Sequence, residues 1–403
     1  MSRPETLSPG LIVPPPSAEP RSISIFGATG SVGTSTLDLI RLNPSAYRIV
    51  ALTANSDAAG LAKLAREFSA QVAVIGDPAQ HQALAEALEG SATQAWSGPQ
   101  ALLDAADLDA DWTMAAIVGC AGLAPIMRSL LRGRSVALAN KEALVSSGAL
   151  MIEAARSSGA TLLPVDSEHN AIFQCLAGAS YDHVQSITLT ASGGPFRTWT
   201  IEQMRAAGPA QAVAHPNWSM GAKISVDSAT MFNKGLELIE AYHLFPVGLD
   251  AIRILVHPQS VIHSMVEYRD RSTLAQLGAP DMRIPIASAL AWPDRIATDC
   301  APLDLATIGQ LTFEPLDDER FPGPGICRQA IASGGGAPAI LNAANEIAVA
   351  AFLKEEIGFL DIAAIVSEVL AGYSPQDPQS LQDVLAIDRE AREHAAAAVR
   401  TRN

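Results

Sequence analysis

Residues 22–40 read SISIFGATGSVGTSTLDLI, and the architecture of the chain follows from them. Ser22 to Phe26 is an apolar strand, Gly27, Gly30 and Gly33 punctuate the turn after it, and Thr36, Leu37, Leu39 and Ile40 give an amphipathic helix. Strand, glycine turn and helix in that order open a dinucleotide-binding unit. Glycines let the backbone approach a pyrophosphate, and a helix N-terminus offers free N–H groups with a partial positive charge. The spacing is GxxGxxG, which a tight turn could need for steric reasons alone. Its place directly after an N-terminal strand is what points to a nucleotide.

Working outward, βα alternation continues. A strand Tyr47 to Thr53 ends in Asn55-Ser56-Asp57, the position at which such folds discriminate the adenosine ribose. Asp57 is acidic and the nearest cation is Lys63, so these residues alone lean toward NAD over NADP. Further strands are expected at Val72 to Ile75, Trp112 to Val118, Ser135 to Leu138 and Thr161 to Val165, with helices at Ala58 to Phe68 and His81 to Leu88 between the first of them. Polar residues at the C-terminal ends of parallel strands face the cofactor crevice, which makes Asn140 and Lys141 candidates for the nicotinamide end. Asn140 reads equally well as a helix cap. Asp166-Ser167-Glu168 leaves the next strand as two carboxylates flanking a hydroxyl, an oxygen-donor arrangement suited to Mg²⁺ or Mn²⁺, or else an acidic turn with Asp166 capping a helix. Ser192-Gly-Gly after the strand Val184 to Thr190 offers hydroxyl and N–H donors for an oxyanion.

Polar chemistry is densest in His215 to Glu240, HPNWSMGAKISVDSATMFNKGLELIE. The composition suggests a mobile loop running into a helix rather than a packed core element. The helix is expected to begin near Ser228, capped by Asp227 or Ser228. Asn233 and Glu237 then share a face, with Lys234 about 100° away. An amide, an ammonium and a carboxylate converging there could bind a phosphate and a metal together. Strands Arg253 to Val256 and 260–268 follow, Trp292 to Pro324 is rich in Pro, Asp and Gly, and everything after Arg328 has a helical pattern, at Ala337 to Lys354, Asp361 to Leu370 and Ser380 to Arg400.

The fold expected is therefore α/β: an N-terminal Rossmann-like domain (21–165), an α+β catalytic block (166–291), a linker (292–327) and a C-terminal helical bundle (328–403), preceded by a disordered Pro-rich tail (1–20). At 403 residues more than one domain is expected. A net charge of −15 argues against a nucleic-acid partner without excluding an anionic ligand in a local pocket. No apolar run is long enough for a membrane span. The four cysteines have no metal-type spacing and read as reduced thiols, as in a cytoplasmic protein.

GATGSVGTSTLDL, ANKEALV, PVDSEHNAIFQ, ASGGPFR, the 215–240 motif, HPQSVIHSMVEY, LAQLGAPDMRIPI and LNAANEIAVAAFL occur in that order. Together they resemble the 1-deoxy-D-xylulose 5-phosphate reductoisomerase family from about residue 22 onward. The resemblance implies an NADPH- and divalent-metal-dependent homodimer, with a connective domain carrying the site. Its substrate would be the phosphorylated sugar 1-deoxy-D-xylulose 5-phosphate, rearranged and reduced to 2-C-methyl-D-erythritol 4-phosphate, a step toward isoprenoid precursors. Position by position, it implies Asp166, Glu168 and Glu237 as metal ligands. Ser192, His215, Ser228, Asn233 and Lys234 would contact the phosphate and hydroxyls, and Lys141 and Ser167 the reacting end. Thr29, Gly30, Ser31, Val32, Asn140, Glu142 and Gly221 would contact the cofactor, and Trp218 and Met220 would form a flap. Asn55-Ser56-Asp57 departs from the family's pattern, often Gly-Lys-Asn, and puts the strength of NADPH selectivity in question. A simple NAD(P)-dependent dehydrogenase with the same first domain is the competing reading, and it has no use for the Asp-Ser-Glu and distant Glu.

Overall fold

Arg21–Phe26 (β1) is the centre of a seven-stranded parallel sheet. Its order is β4-β3-β2-β1-β5-β6-β7, with β2 Tyr47–Ala54, β3 Val72–Ile75, β4 Gln94–Ser97, β5 Trp112–Ala115, β6 Ser135–Leu138 and β7 Thr161–Pro164. The computed structural model describes residues 19–176, 179–218, 220–374 and 376–402, so the expected tail falls almost wholly outside the described residues. Strand order reverses at β1, between β2 and β5, and this switch point opens the crevice in which such sheets bind ligands.

The glycine turn is built for close approach. Gly27 has φ 91°, and a Cβ there would lie 2.6 Å from Ala116 O. A Cβ on Gly33 would lie 2.3 Å from Gly27 O, so the helix Ser31–Leu42 can seat against the turn only with glycine there. Gly30 caps that helix without a side-chain bond, leaving first-turn N–H groups free.

A second, mixed sheet has the order β11-β10-β8-β9, from β8 Val184–Ala191, β9 Ile252–Val256, β10 Ile262–Tyr268 and β11 Thr273–Leu277. β8 and β9 are parallel, and β10 runs antiparallel to β8 and β11. The sequence signal missed β4 and β11, whose residues are mostly half-buried or exposed and so lack an apolar run. β5 stops at Ala115 rather than Val118, and Gly119 beyond it turns the chain with φ 67°.

Two boundaries differ from the expected blocks. Helix Arg283–Ala291 follows the second sheet in sequence but buries Ile286 and Leu290 in the first core, where Trp112 Nε1 donates to Ala289 O at 3.0 Å. The last helical unit starts at Gly323 (Gly323–Ser333), inside the expected linker. Helices Ala337–Leu353, Asp361–Gly372 and Leu381–Arg400 bury Phe352, Val366 and Val399 in the same core as Ile187 and Leu189 of β8. The helical end and the second sheet thus share one interior.

Candidate active site

Strand and helix ends from both sheets meet at a cavity of about 400 Å³. From the first sheet come Ser31 and Val32 after β1, Lys141 after β6, and Asp166, Ser167 and Glu168 after β7. From the second come Ser192 after β8 and Ser260 before β10. Between them lie His215, Trp218, Met220, Gly221, Ser228, Asn233, Lys234 and Glu237.

Asp166, Glu168 and Glu237, up to 71 residues apart, each bring a carboxylate oxygen to within 4.8 Å of the others. Lys141 Nζ lies 2.7 Å from Asp166 Oδ2 and 3.5 Å from Glu237 Oε1, and donates to Asn233 Oδ1 at 2.6 Å. Lys234 Nζ donates to Glu168 Oε1 at 2.8 Å and to Glu237 Oε2. Burial would lower the Lys141 ammonium, but Asp166 and Glu237 outweigh it and hold it well above its ordinary value. Burial also works against the Asp166 carboxylate, yet Lys141 keeps it below the usual range. Glu237 goes the other way: burial and then Glu168 push it up to about 8, against the two lysines. Three carboxyl groups face two ammoniums, an oxygen-only donor set whose third member, Glu237, needs a further cation to hold its charge. That set fits a hard divalent cation.

The other end of the cavity is built for an anion. His215 Nδ1 accepts from the backbone N–H groups of Asn217 and Trp218, at 3.2 and 3.0 Å. The ring proton therefore sits on Nε2, which faces Ser192 Oγ at 3.0 Å. Ser192 Oγ also accepts from Gly194 N at 3.1 Å, which leaves its own proton free as a donor. Gly193 and Gly194 both have positive φ, turning the backbone into a concave donor-lined nest.

The 215–240 segment differs from expectation. Its helix does not begin near Ser228: Ala222–Ala229 is one helix, Met231 is left-handed at φ 61°, and Phe232–Leu244 is a second. Asp227 is no cap but a fully buried residue, 2.7 Å from Lys223 Nζ and bonded by Asn345 Nδ2 at 2.8 Å. Nor is the segment mainly loop, since Lys234, Glu237 and Glu240 are buried. Partners far away in sequence make that burial possible, and no local pattern reveals them.

Among the expected cofactor contacts, Thr29 and Gly30 sit at the glycine turn, while Asn55, Ser56 and Asp57 are exposed at the end of β2, outside the cavity. Asp57 caps the helix Ala58–Glu67 by accepting from Gly60 N at 2.9 Å. Asn140 is buried and its side chain is engaged: it accepts from Ala143 N at 2.8 Å and donates to Gly119 O at 2.9 Å. Glu142 is half-buried and paired with Lys223. Sequence reasoning missed His263, Asp281 and Met282, which line the cavity. All three lie within quoted motifs, and their position in them was the available signal. His169, read from the sequence as structural rather than a ligand, is buried with its Nε2 2.8 Å from Glu237 O.

Three family models cover most of the chain: 1-deoxy-D-xylulose 5-phosphate reductoisomerase at residues 23–148, its C-terminal domain at 162–245, and the DXP reductoisomerase C-terminal domain at 277–394. The 1-deoxy-D-xylulose 5-phosphate reductoisomerase of Zymomonas mobilis is 58% identical over 380 residues, covering 94% of this chain and 98% of that protein. That of Rhodospirillum centenum is 55% identical over 379 residues, 94% of each. The solved Zymomonas mobilis enzyme in complex with NADPH superposes with a TM-score of 0.91 at 56% identity, covering 94% of this chain and 99% of that one. A reductoisomerase bound to NADPH, fosmidomycin and magnesium gives 0.90 at 45% identity, covering 94% and 98%.

Proposed function

The chain belongs to the 1-deoxy-D-xylulose 5-phosphate reductoisomerase family, and from that premise we propose which of its residues carry the reaction. The enzyme rearranges and reduces 1-deoxy-D-xylulose 5-phosphate to 2-C-methyl-D-erythritol 4-phosphate, using NADPH and a divalent metal. The single observation behind the residue assignment is the convergence of Asp166, Glu168 and Glu237 in the cavity that also holds Ser31 and Val32 of the glycine turn.

In this reading Asp166, Glu168 and Glu237 hold Mg²⁺ or Mn²⁺, which when bound polarises the substrate's oxygens as a Lewis acid. Thr29, Gly30, Ser31 and Val32, with Glu142 and Gly221, would hold NADPH, which would supply the hydride. Asn140 would meet it through the main chain, its amide being engaged. Lys141 and Ser167 contact the reacting end, and the Lys141 ammonium is placed to stabilise negative charge or pass a proton there. Ser192, His215, Ser228, Asn233 and Lys234 contact the phosphate and hydroxyls. Binding energy from the remote phosphate drives closure of Trp218 and Met220 and excludes water. Ser192 is suited to such a contact because its hydroxyl proton is unspent. We also place the enzyme in the cytoplasm as a homodimer. Four free cysteines support the former. The exposed edge strand β11, with Leu274 half exposed, supports the latter.

Absorbance of NADPH tests the assignment. With deoxyxylulose phosphate and Mg²⁺ the band should decay, and a chelator should stop it. Glu237→Gln should slow turnover by about 10²–10⁴-fold while NADPH binding survives. Turnover indifferent to the chelator would favour a simple dehydrogenase, and a fully active Glu237→Gln would remove that residue from the ligand set.

A further inference from the structure

Lys223 belongs to none of the roles above, yet it joins three parts of the molecule. It is the second residue of the Ala222–Ala229 helix. Its Nζ lies 2.9 Å from Glu142 Oε1, on the first turn of the helix Lys141–Ser158, and 2.7 Å from Asp227 Oδ2 on its own helix. Asp227 Oδ1 in turn accepts from Asn345 Nδ2 at 2.8 Å, on the C-terminal helix Ala337–Leu353. The neighbours of Lys223 matter: Gly221 and Ile224 are walls of the cavity, and Gly221 caps the helix with no side-chain bond. The Gly221 carbonyl accepts from Ser225 N at 3.1 Å and Ser225 Oγ at 2.9 Å, which ties that wall to its own helix and leaves the helix's position to set where it stands. At the other end of the loop, Asn217 Nδ2 donates to Pro258 O at 2.6 Å and to Ser260 Oγ at 3.0 Å. The segment bearing Trp218 and Met220 therefore spans two anchors.

We infer that Lys223 is a positioning residue for this site, docking the C-terminal end of the Trp218 loop onto the helix that begins at Lys141. The inference rests on the functional reading above. Its physical basis is that two carboxylates from different elements share one ammonium, so the loop's end and the Lys141 helix cannot part without unpairing the half-buried Glu142 carboxylate. Asp227 has no exposure, which makes Lys223→Met alone a folding risk. The Lys223→Met/Asp227→Asn pair removes the ammonium without stranding that carboxylate.

The test uses the full chain. Hydrogen exchange, read without substrate, should speed up about tenfold or more at the amides of 217, 218 and 220–224 in the double variant, with the two sheets unchanged. The KM for deoxyxylulose phosphate should rise roughly tenfold, with kcat moved less than about threefold. Lys223→Arg, which keeps the charge, should stay close to wild type. Unchanged loop exchange and KM in the folded double variant would overturn the inference. So would faster exchange spread evenly over the chain, or a Lys223→Arg variant as impaired as the double. Wild-type protein unable to turn over the sugar phosphate would instead defeat the functional reading, since loop exchange needs no substrate.

Discussion

Glu237 and His243 occupy one helix two turns apart, and burial perturbs both in opposite electrostatic senses. At Glu237 the carboxyl is raised to about 8 by burial and Glu168, so the lysines and a bound cation are what stabilise its charge. At His243 burial alone lowers the imidazole from 6.5 to about 4. Below pH 6.5 the unfolded chain takes up a proton that the folded chain refuses. Stability from this residue is thus full above about pH 6.5 and lost as pH falls toward 4, by about 3 kcal/mol in all. Denaturant unfolding of wild type and His243→Gln at pH 7.5 and 4.5 checks it. The stability gap between the two should shrink by about 2–3 kcal/mol at the lower pH, and a gap independent of pH would refute the prediction. A lone histidine in HLFP gives no sequence hint of this, because its burial comes from a helix nearly a hundred residues earlier.

That helix, Lys141–Ser158, sets the geometry of the site. It is broken at Ser147, whose φ of −137° is not helical, and at the next residue the His243 ring packs onto Gly148 so closely that a Cβ would lie 2.2 Å from its Cδ2. Helices bend at Gly/Ser pairs, and here the bend and the missing side chain let two helices approach. The same crossing brings Lys141 to Glu237 and Asn233. Gly148→Ala should therefore destabilise the protein by about 1–3 kcal/mol and also lower turnover, by forcing the helices apart. Thermal melting and initial rates measured together check this. An alanine variant with wild-type melting and rate would show that the crossing tolerates a methyl group. Most of the first domain's elements were legible in the sequence, since apolar strands, glycine turns and amphipathic helices follow local periodicity. The helix break at Met231, between Ala222–Ala229 and Phe232–Leu244, was not. A methionine at positive φ runs against its own preference and is held there by tertiary packing.

Across the whole molecule, the described residues form three apolar interiors, two of them against the strands around β1 and a larger one shared by the second sheet, the last helices and part of the first sheet. Arg328 shows how closely the last helices are tied to the second sheet: its guanidinium donates to Leu249 O at 2.9 Å and to Ile252 O at 2.7 Å. Because these helices and β8 bury their apolar faces against each other, neither can open alone without exposing the other's core. Native-state hydrogen exchange in mild denaturant should show amides of β8, β9 and the Ala337–Leu353 helix losing protection together. Strands β1 to β3, which share a core with the 283–291 helix, should lose protection separately. Loss of the C-terminal helices at lower denaturant than β8 would contradict that shared core.

The sequence by itself determined the class of fold, the nucleotide turn and the chemical character of the site, because strand periodicity, glycine spacing and carboxylates at strand ends are local properties of the chain. It also supplied the motifs that identify the family. Only the tertiary structure decided that Asp166, Glu168 and Glu237 meet, that Asp227 is buried against Lys223 and Asn345 rather than capping a helix, and that the 283–291 helix serves the first core. Charge pairing and core sharing depend on distances in space, and residues far apart along the chain carry no local record of their partners.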